Sequence, residues 1–233
     1  MFHVKQTSQK KETYYGTMSI RTVLIILGVL LVLSLGIAVF AYPVLPQQVA
    51  SHWNAQGQVD GYTSRLSGLA LLPAMLIGIS LLLLFIPQID PLKANIQLFR
   101  AEYNGFIAVF ALFMFYLHLI TVAINLGLAA NMNQLLFPAM GFFVFYVGLL
   151  LGKARRNYFI GIRTPWTLNS DTVWNKTHQL GSKLFEVAGA ITLVGVFFPH
   201  IAIYIFLIVL IAVSLVTIVY SYFAFRQEFQ GKA

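Results

Sequence analysis

His118 lies fourteen residues after Asn104 and seven before Asn125, with Ala111 on the rung between, in a stretch that carries no Asp, Glu, Lys or Arg. Seven residues fall only about 20° short of two helical turns, so on a helix these side chains share one face. An imidazole in such a place can take up and release a proton. It can equally stay neutral and hydrogen-bond to a serine, threonine or tyrosine of another helix. Glu186 is a further ionisable group in an apolar run, and Lys183, three residues earlier, or an arginine nearby offers it an ion pair before any catalytic use. Ser214, Thr217 and Ser221 make a polar helical face that reads most simply as helix packing.

Two other groups of residues could recognise a ligand. In the first, His52, Trp53, Asn54, Gly57 and Asp60 crowd into one connection. Its histidine and carboxylate, even with His200 added, lack the spacing of metal ligands, and no metal site is read there. In the second, Asn157, Gly161, Arg163, Thr164, Trp166, Trp174 and His178 follow a run in which basic and aromatic residues alternate, a composition suited to an anionic membrane surface. Arg163 and His178 against a phosphate would suit a membrane enzyme acting on lipid or cell-wall precursors. The chain contains no HExxH, Gly-x-Ser-x-Gly or GxxxxGK motif and no cofactor signature, and without cysteine it has neither disulfides nor thiolate chemistry. The reading is therefore non-enzymatic.

The elements that must hold these residues follow from composition. Of 233 residues 59% are hydrophobic and 9% charged, with a mean hydropathy of +0.80, which excludes an ordinary soluble domain. Crossing a bilayer takes about 20 apolar residues in a helix. Apolar runs of that kind occupy 23–42, 66–86, 105–130, 135–151, 181–198 and 201–224, all uncharged but the fifth, whose uncharged part begins at Val187; the middle and last pairs are split at Asn131-Met132-Asn133-Gln134 and at Pro199-His200. The class is an all-α polytopic membrane protein with six transmembrane helices. The first run is too long for a signal-peptide core and is read as a retained anchor.

Lys5, Lys10, Lys11 and Arg21, then Lys93 and Arg100, then Lys153, Arg155, Arg156, Arg163, Lys176 and Lys183, then Arg226 and Lys232 all fall on one side of that path, and only Arg65 on the other. The positive-inside rule makes the crowded side cytoplasmic, with both termini inside. The net charge of +8 then needs no nucleic-acid partner. Two long connections stand out: an ordered outer loop, 43–65, between helices one and two, and an amphipathic inner elbow, 152–181, between helices four and five. In the elbow Pro165 disfavours helix at Thr164, Asn169 or Ser170 is placed to cap a new helix, and Asp171 suits its first turn.

The stretch Leu45-Pro46, Ser51-His52-Trp53-Asn54, Gly57 and Asp60-Gly61-Tyr62 resembles an N-terminal membrane domain of unknown function that often precedes another. The stretch Asn157, Gly161-Ile162-Arg163-Thr164-Pro165-Trp166-Thr167-Leu168, Ser170, Val173-Trp174, Thr177-His178 and Gly181 resembles the SdpI family of bacterial immunity proteins. The resemblance implies an inner-membrane protein that resists a secreted antimicrobial peptide and is tied to signalling through a cytoplasmic regulatory protein. It assigns Arg163, Thr164, Trp166, Trp174 and His178 to a cytoplasmic functional element, and His52, Asn54, Gly57 and Asp60 to the outer loop. The expected organisation is a tail over 1–22, a first membrane domain over 23–130, a second over 131–225 and a tail over 226–233, in contact with the lipid bilayer throughout. A proton-coupled transporter is the competing reading, from His118, Asn125 and a second helix interrupted by Gly68, Pro73 and Gly78.

Overall fold

Among the described residues six helices are long and apolar enough to cross a membrane. The computed structural model describes residues 18–230; the tail positions Lys5, Lys10, Lys11 and Lys232 lie outside the described residues. Helix α1 (Ile20–Ala41) starts at Ser19, whose side chain accepts the Thr22 N–H, and stops just before Pro43. Helix α2 (Arg65–Ile89) is capped in the same way by Ser64 and runs unbroken through Pro73 and Pro87, so the interruption expected at its glycines and proline is absent. A short α3 (Lys93–Gln97) then leads to α4 (Arg100–Asn125).

Asn131 caps α5 (Met132–Lys153), and after a short α6 (Pro165–Asn169) the cap Ser170 opens α7 (Asp171–Val194) with Asp171 in its first turn. A 3-10 turn (Gly195–Phe197) and α8 (Ala202–Gln230) complete the path. The apolar runs expected at 135–151 and 181–198 prove too short, because capped helices continue past the edge of the uncharged stretch. In α7 the extension takes in Trp174 and His178.

The fold is helical as expected, with one strand pair added in the first long connection. The connection after α1 pairs β1 (Gln48–Trp53) with β2 (Val59–Ser64) as an antiparallel hairpin, in register from Gln48↔Ser64 to Ala50↔Tyr62 and irregular at Ser51 before His52↔Gly61. A local irregularity of this kind turns side chains away from strict alternation, which is why the stretch lacks a legible two-residue period.

Helices α1, α2 and α4 form one group, with Val23, Leu27, Leu76, Tyr103, Ile107 and Ala111 in its core. Helices α5, α7 and α8 form another, around Val144, Ala188 and Val213. Within it α5 and α7 lie backbone to backbone: a Cβ on Gly189 would stand 2.6 Å from the Phe145 nitrogen. Small residues permit such close approach in lipid, where packing and not the hydrophobic effect joins helices. Outward faces carry Phe40, Phe197 and Leu98 at 83%, 77% and 71% exposure, a surface that only lipid accommodates. The chain is a multi-pass cell-membrane protein.

Candidate functional site

At the hairpin end the turn organises itself first. The Asn54 carboxamide oxygen accepts the N–H groups of Gln56 and Gln58, each at 3.0 Å, and Gly57 takes a φ of 77°. Three asparagines then fasten the hairpin to the bundle. Asn125, at the end of α4, accepts the Ala50 N–H at 2.7 Å and donates to the Ala50 carbonyl at 3.0 Å, as a neighbouring strand would. Asn131 donates to the Gln56 carbonyl at 2.8 Å. Asn133 donates to the carbonyls of Ala55 at 2.9 Å and Pro199 at 2.7 Å, tying the α7–α8 connection to the same turn. A Cβ at Gly57 would collide with the Asn131 side chain.

Beneath this hairpin lies a cavity of about 700 Å³. His52, Trp53, Asn54 and Asp60 stand at its rim, and Leu72, Leu117, Leu136, Phe137 and Ile203 form its apolar walls. Polar groups at the mouth of an apolar cleft are the usual build of a ligand site. His52 Nδ1 and Asp60 are paired, with their side chains 72% and 43% exposed. An ion pair so open to water contributes little, so His52→Ala is expected to shift stability by less than about 1 kcal/mol, read as a thermal midpoint. His200 is exposed and does not join the pair, and among the described residues no cluster of His, Cys, Asp and Glu is arranged to hold a metal ion.

The α4 stripe points inward as the spacing predicts: Asn104, Ala111 and His118 are all buried. It is not a relay. Asn104 donates to the Met18 carbonyl at 2.9 Å and accepts from Arg100 at 3.0 Å, while Asn125 holds the hairpin. Neither ring nitrogen of His118 bonds to another side chain; the ring faces the Ser34 backbone of α1 and not the hydroxyl expected for it. Leu117 and Thr121 line the cavity on either side in sequence, but His118 does not. Glu186 accepts from the Ser182 hydroxyl at 2.9 Å in place of the ion pair expected with Lys183 or an arginine.

The elbow end is built around two fully buried side chains. Asn157 donates to the carbonyls of Arg155 and Ile160 and accepts the N–H groups of Phe159 and Ile160. His178 receives the Ile162 N–H on Nε2 at 3.0 Å, and its Nδ1 meets the Trp174 carbonyl at 2.8 Å. A carbonyl only accepts, so Nδ1 carries the proton and the ring is the neutral tautomer. Its ring stacks on Trp174 at 3.9 Å, and the indole N–H donates to the Ala154 carbonyl. Gly161 reaches φ 117° to pass this ring.

Thr164 and Thr167 cap α6 reciprocally, Thr164 also meets Ser221 of α8 at 3.0 Å, and Trp166 packs edge-on against Tyr222. Arg163 is exposed and reaches back to the Tyr158 carbonyl. It does not meet His178, whose two nitrogens are both occupied. The two therefore share no phosphate pocket.

Several residues of this architecture carry no local sequence signal. Buried Asp90 accepts the N–H groups of Leu92 and Tyr158, and Asn95 donates to the Arg156 carbonyl, so the α2–α4 connection is bonded to the elbow. Ser170 donates to Glu228, while Arg156 pairs with Asp171 at 2.7 Å. Asn131 and Asn133, legible only as a break between helices, are hairpin anchors. A lone acid beside a proline, as at Asp90-Pro91, was the one available hint.

Comparison with known proteins agrees with both motif stretches. Residues 29–77 match a domain of unknown function, DUF1648, and residues 153–221 match the SdpI/YfhL protein family. The immunity protein SdpI of Bacillus subtilis (strain 168) is 27% identical over 203 residues, which cover 87% of this chain and 95% of that protein. No solved structure matches. The family segment falls on the elbow and its flanking helices, and likeness to the immunity protein runs through nearly the whole length, so the chain is similar to the SdpI/YfhL protein family across the elbow and to an immunity protein of that name overall.

Proposed function

We propose that this protein is an immunity protein that protects its cell from a secreted antimicrobial peptide. An apolar segment of the peptide enters the cavity beneath the hairpin, and the rim residues His52, Trp53, Asn54 and Asp60 meet its polar or cationic groups. The elbow, with Asn157, Gly161, Arg163, Thr164, Trp166, Trp174 and His178, lies in the cytoplasm and reports peptide arrival to a soluble regulatory partner. The observation that carries this reading is the cavity of about 700 Å³, whose polar lining gathers His52, Asn54 and Asp60 of an ordered hairpin with Thr121 and Asn133 of the helices. The relative named an immunity protein supports the same class of activity.

Expression in a peptide-sensitive strain tests it. The unaltered protein should raise the inhibitory concentration of at least one secreted peptide. Leu136→Trp and Leu72→Trp, which fill the apolar wall, should each reduce that protection by about tenfold or more, the equivalent of about 1.4 kcal/mol of lost affinity. Membrane yield should be unchanged. Protection by neither the unaltered protein nor its variants against any peptide of the organism or its neighbours would remove the proposal.

A transport reading rests on one observation, the buried imidazole of His118 that bonds to no other side chain. It requires flux in proteoliposomes that His118→Ala abolishes, and no flux leaves immunity as the sole reading.

A further inference from the structure

A second cavity, of about 330 Å³, lies between the two helix groups at the elbow end. Leu83 and Ile86 of α2 and Phe106 of α4 form one wall, and Val147 of α5 with Phe159 and Ile162 of the elbow form the other. Nothing charged lines it. A cleft of this kind between transmembrane helices, at the level where a helix gives way to loop, faces acyl chains near their headgroups.

Its edge is basic. Arg163 follows the lining residue Ile162 directly, is exposed, and its guanidinium is held by the carbonyl of Tyr158, beside the lining residue Phe159. That bond uses one donor of five and leaves the rest pointing away from the loop. Lys153 and Arg155, both exposed, follow the lining residue Leu151 within four positions and add positive charge to this end of the molecule. Arg156, by contrast, is committed to Asp171 and to the Leu168 carbonyl.

We propose that this cavity holds one acyl chain of an anionic phospholipid, with the phosphate taken by Arg163 and the charge of Lys153 and Arg155 completing the headgroup site. An apolar slot alone would accept any lipid, and a basic edge alone would accept any soluble phosphate. The two together select a molecule carrying both. The chain would press on Gly161 and Ile162, and so on the Ile162–His178 hydrogen bond, making lipid a third component of the elbow alongside the two helix groups.

The test uses the full chain purified in neutral detergent and delipidated, with phosphatidylglycerol, phosphatidylcholine of the same acyl chains, and glycerol phosphate as probes. Native mass spectrometry reads the retained lipid, and thermal unfolding reads its effect. Phosphatidylglycerol should be retained about tenfold over phosphatidylcholine, the scale of one charge-assisted contact, and should alone raise the midpoint. Val147→Trp, which fills the slot, should abolish retention of both lipids; Arg163→Gln should bring them to equality. Equal retention of the two lipids by the unaltered protein overturns the proposal, as does a midpoint rise from glycerol phosphate alone. Should Val147→Trp not fold, Ile86→Trp replaces it, and the comparison of probes on the unaltered protein decides the question by itself.

Discussion

Gly161→Ala is expected to destabilise the purified protein by about 3 kcal/mol, seen as a fall of roughly 6–12 °C in its thermal midpoint. Two separate costs combine. The backbone at φ 117° is one that L side chains rarely adopt. The new Cβ would also collide with Nε2 of His178 and approach Cδ2 to 3.2 Å. That ring has nowhere to go, since its Nδ1 is bonded to the Trp174 carbonyl and its face is stacked on the indole. If it yields, the Ile162 N–H loses its acceptor. The cause is separable in a double-mutant cycle: in a His178→Ala background the same glycine change should cost markedly less. An equal cost in both backgrounds would show that backbone strain alone is at work, and an unchanged midpoint would refute the packing described here.

Asn157→Ala should be comparably severe, costing about 3–5 kcal/mol, because a single carboxamide supplies the hydrogen bonds that this loop lacks from secondary structure. Its oxygen accepts from Phe159 at 2.9 Å and Ile160 at 2.6 Å, and its nitrogen donates to Arg155 at 2.8 Å and Ile160 at 2.9 Å. Alanine would leave the buried main chain of Ile160 without either partner. Limited proteolysis gives a local readout beside the global melt. Cleavage next to exposed Tyr158 and Phe159 should speed up well before the helices unfold. Asn157→Asp keeps the acceptor but turns a buried carboxylate oxygen toward the carbonyls of Arg155 and Ile160, so cleavage should be at least as fast as with alanine. A loop as resistant as the unaltered one would mean that the helix ends, and not this side chain, hold the elbow.

Much of the helical framework can be read from local composition. Apolar runs mark the six crossings, and Ser170 with Asp171 marks the start of α7, because caps and hydropathy are properties of neighbouring residues. The inward face shared by Asn104, Ala111 and His118 follows from helical geometry in the same way. What the bonds of those residues do is another matter. Asn125 reads as one more polar group inside a span, yet it serves as the missing strand beside Ala50, 75 positions away. Asp90 and Asn133 likewise act on segments brought near only by the completed bundle. The hairpin escapes notice because its pairing is irregular at Ser51 and its support comes from helix ends. Arg163 and His178, adjacent in chemistry by type, are kept apart because one faces water and the other is sealed under Gly161.

The three asparagines that fasten the hairpin are electrically neutral at every pH a cell encounters. Attachment by ion pairs would loosen in brine, as screening grows, or in acid, as carboxylates take up protons. Carboxamide-to-backbone bonds do neither. The hairpin is therefore secured to the bundle by contacts indifferent to salinity and acidity.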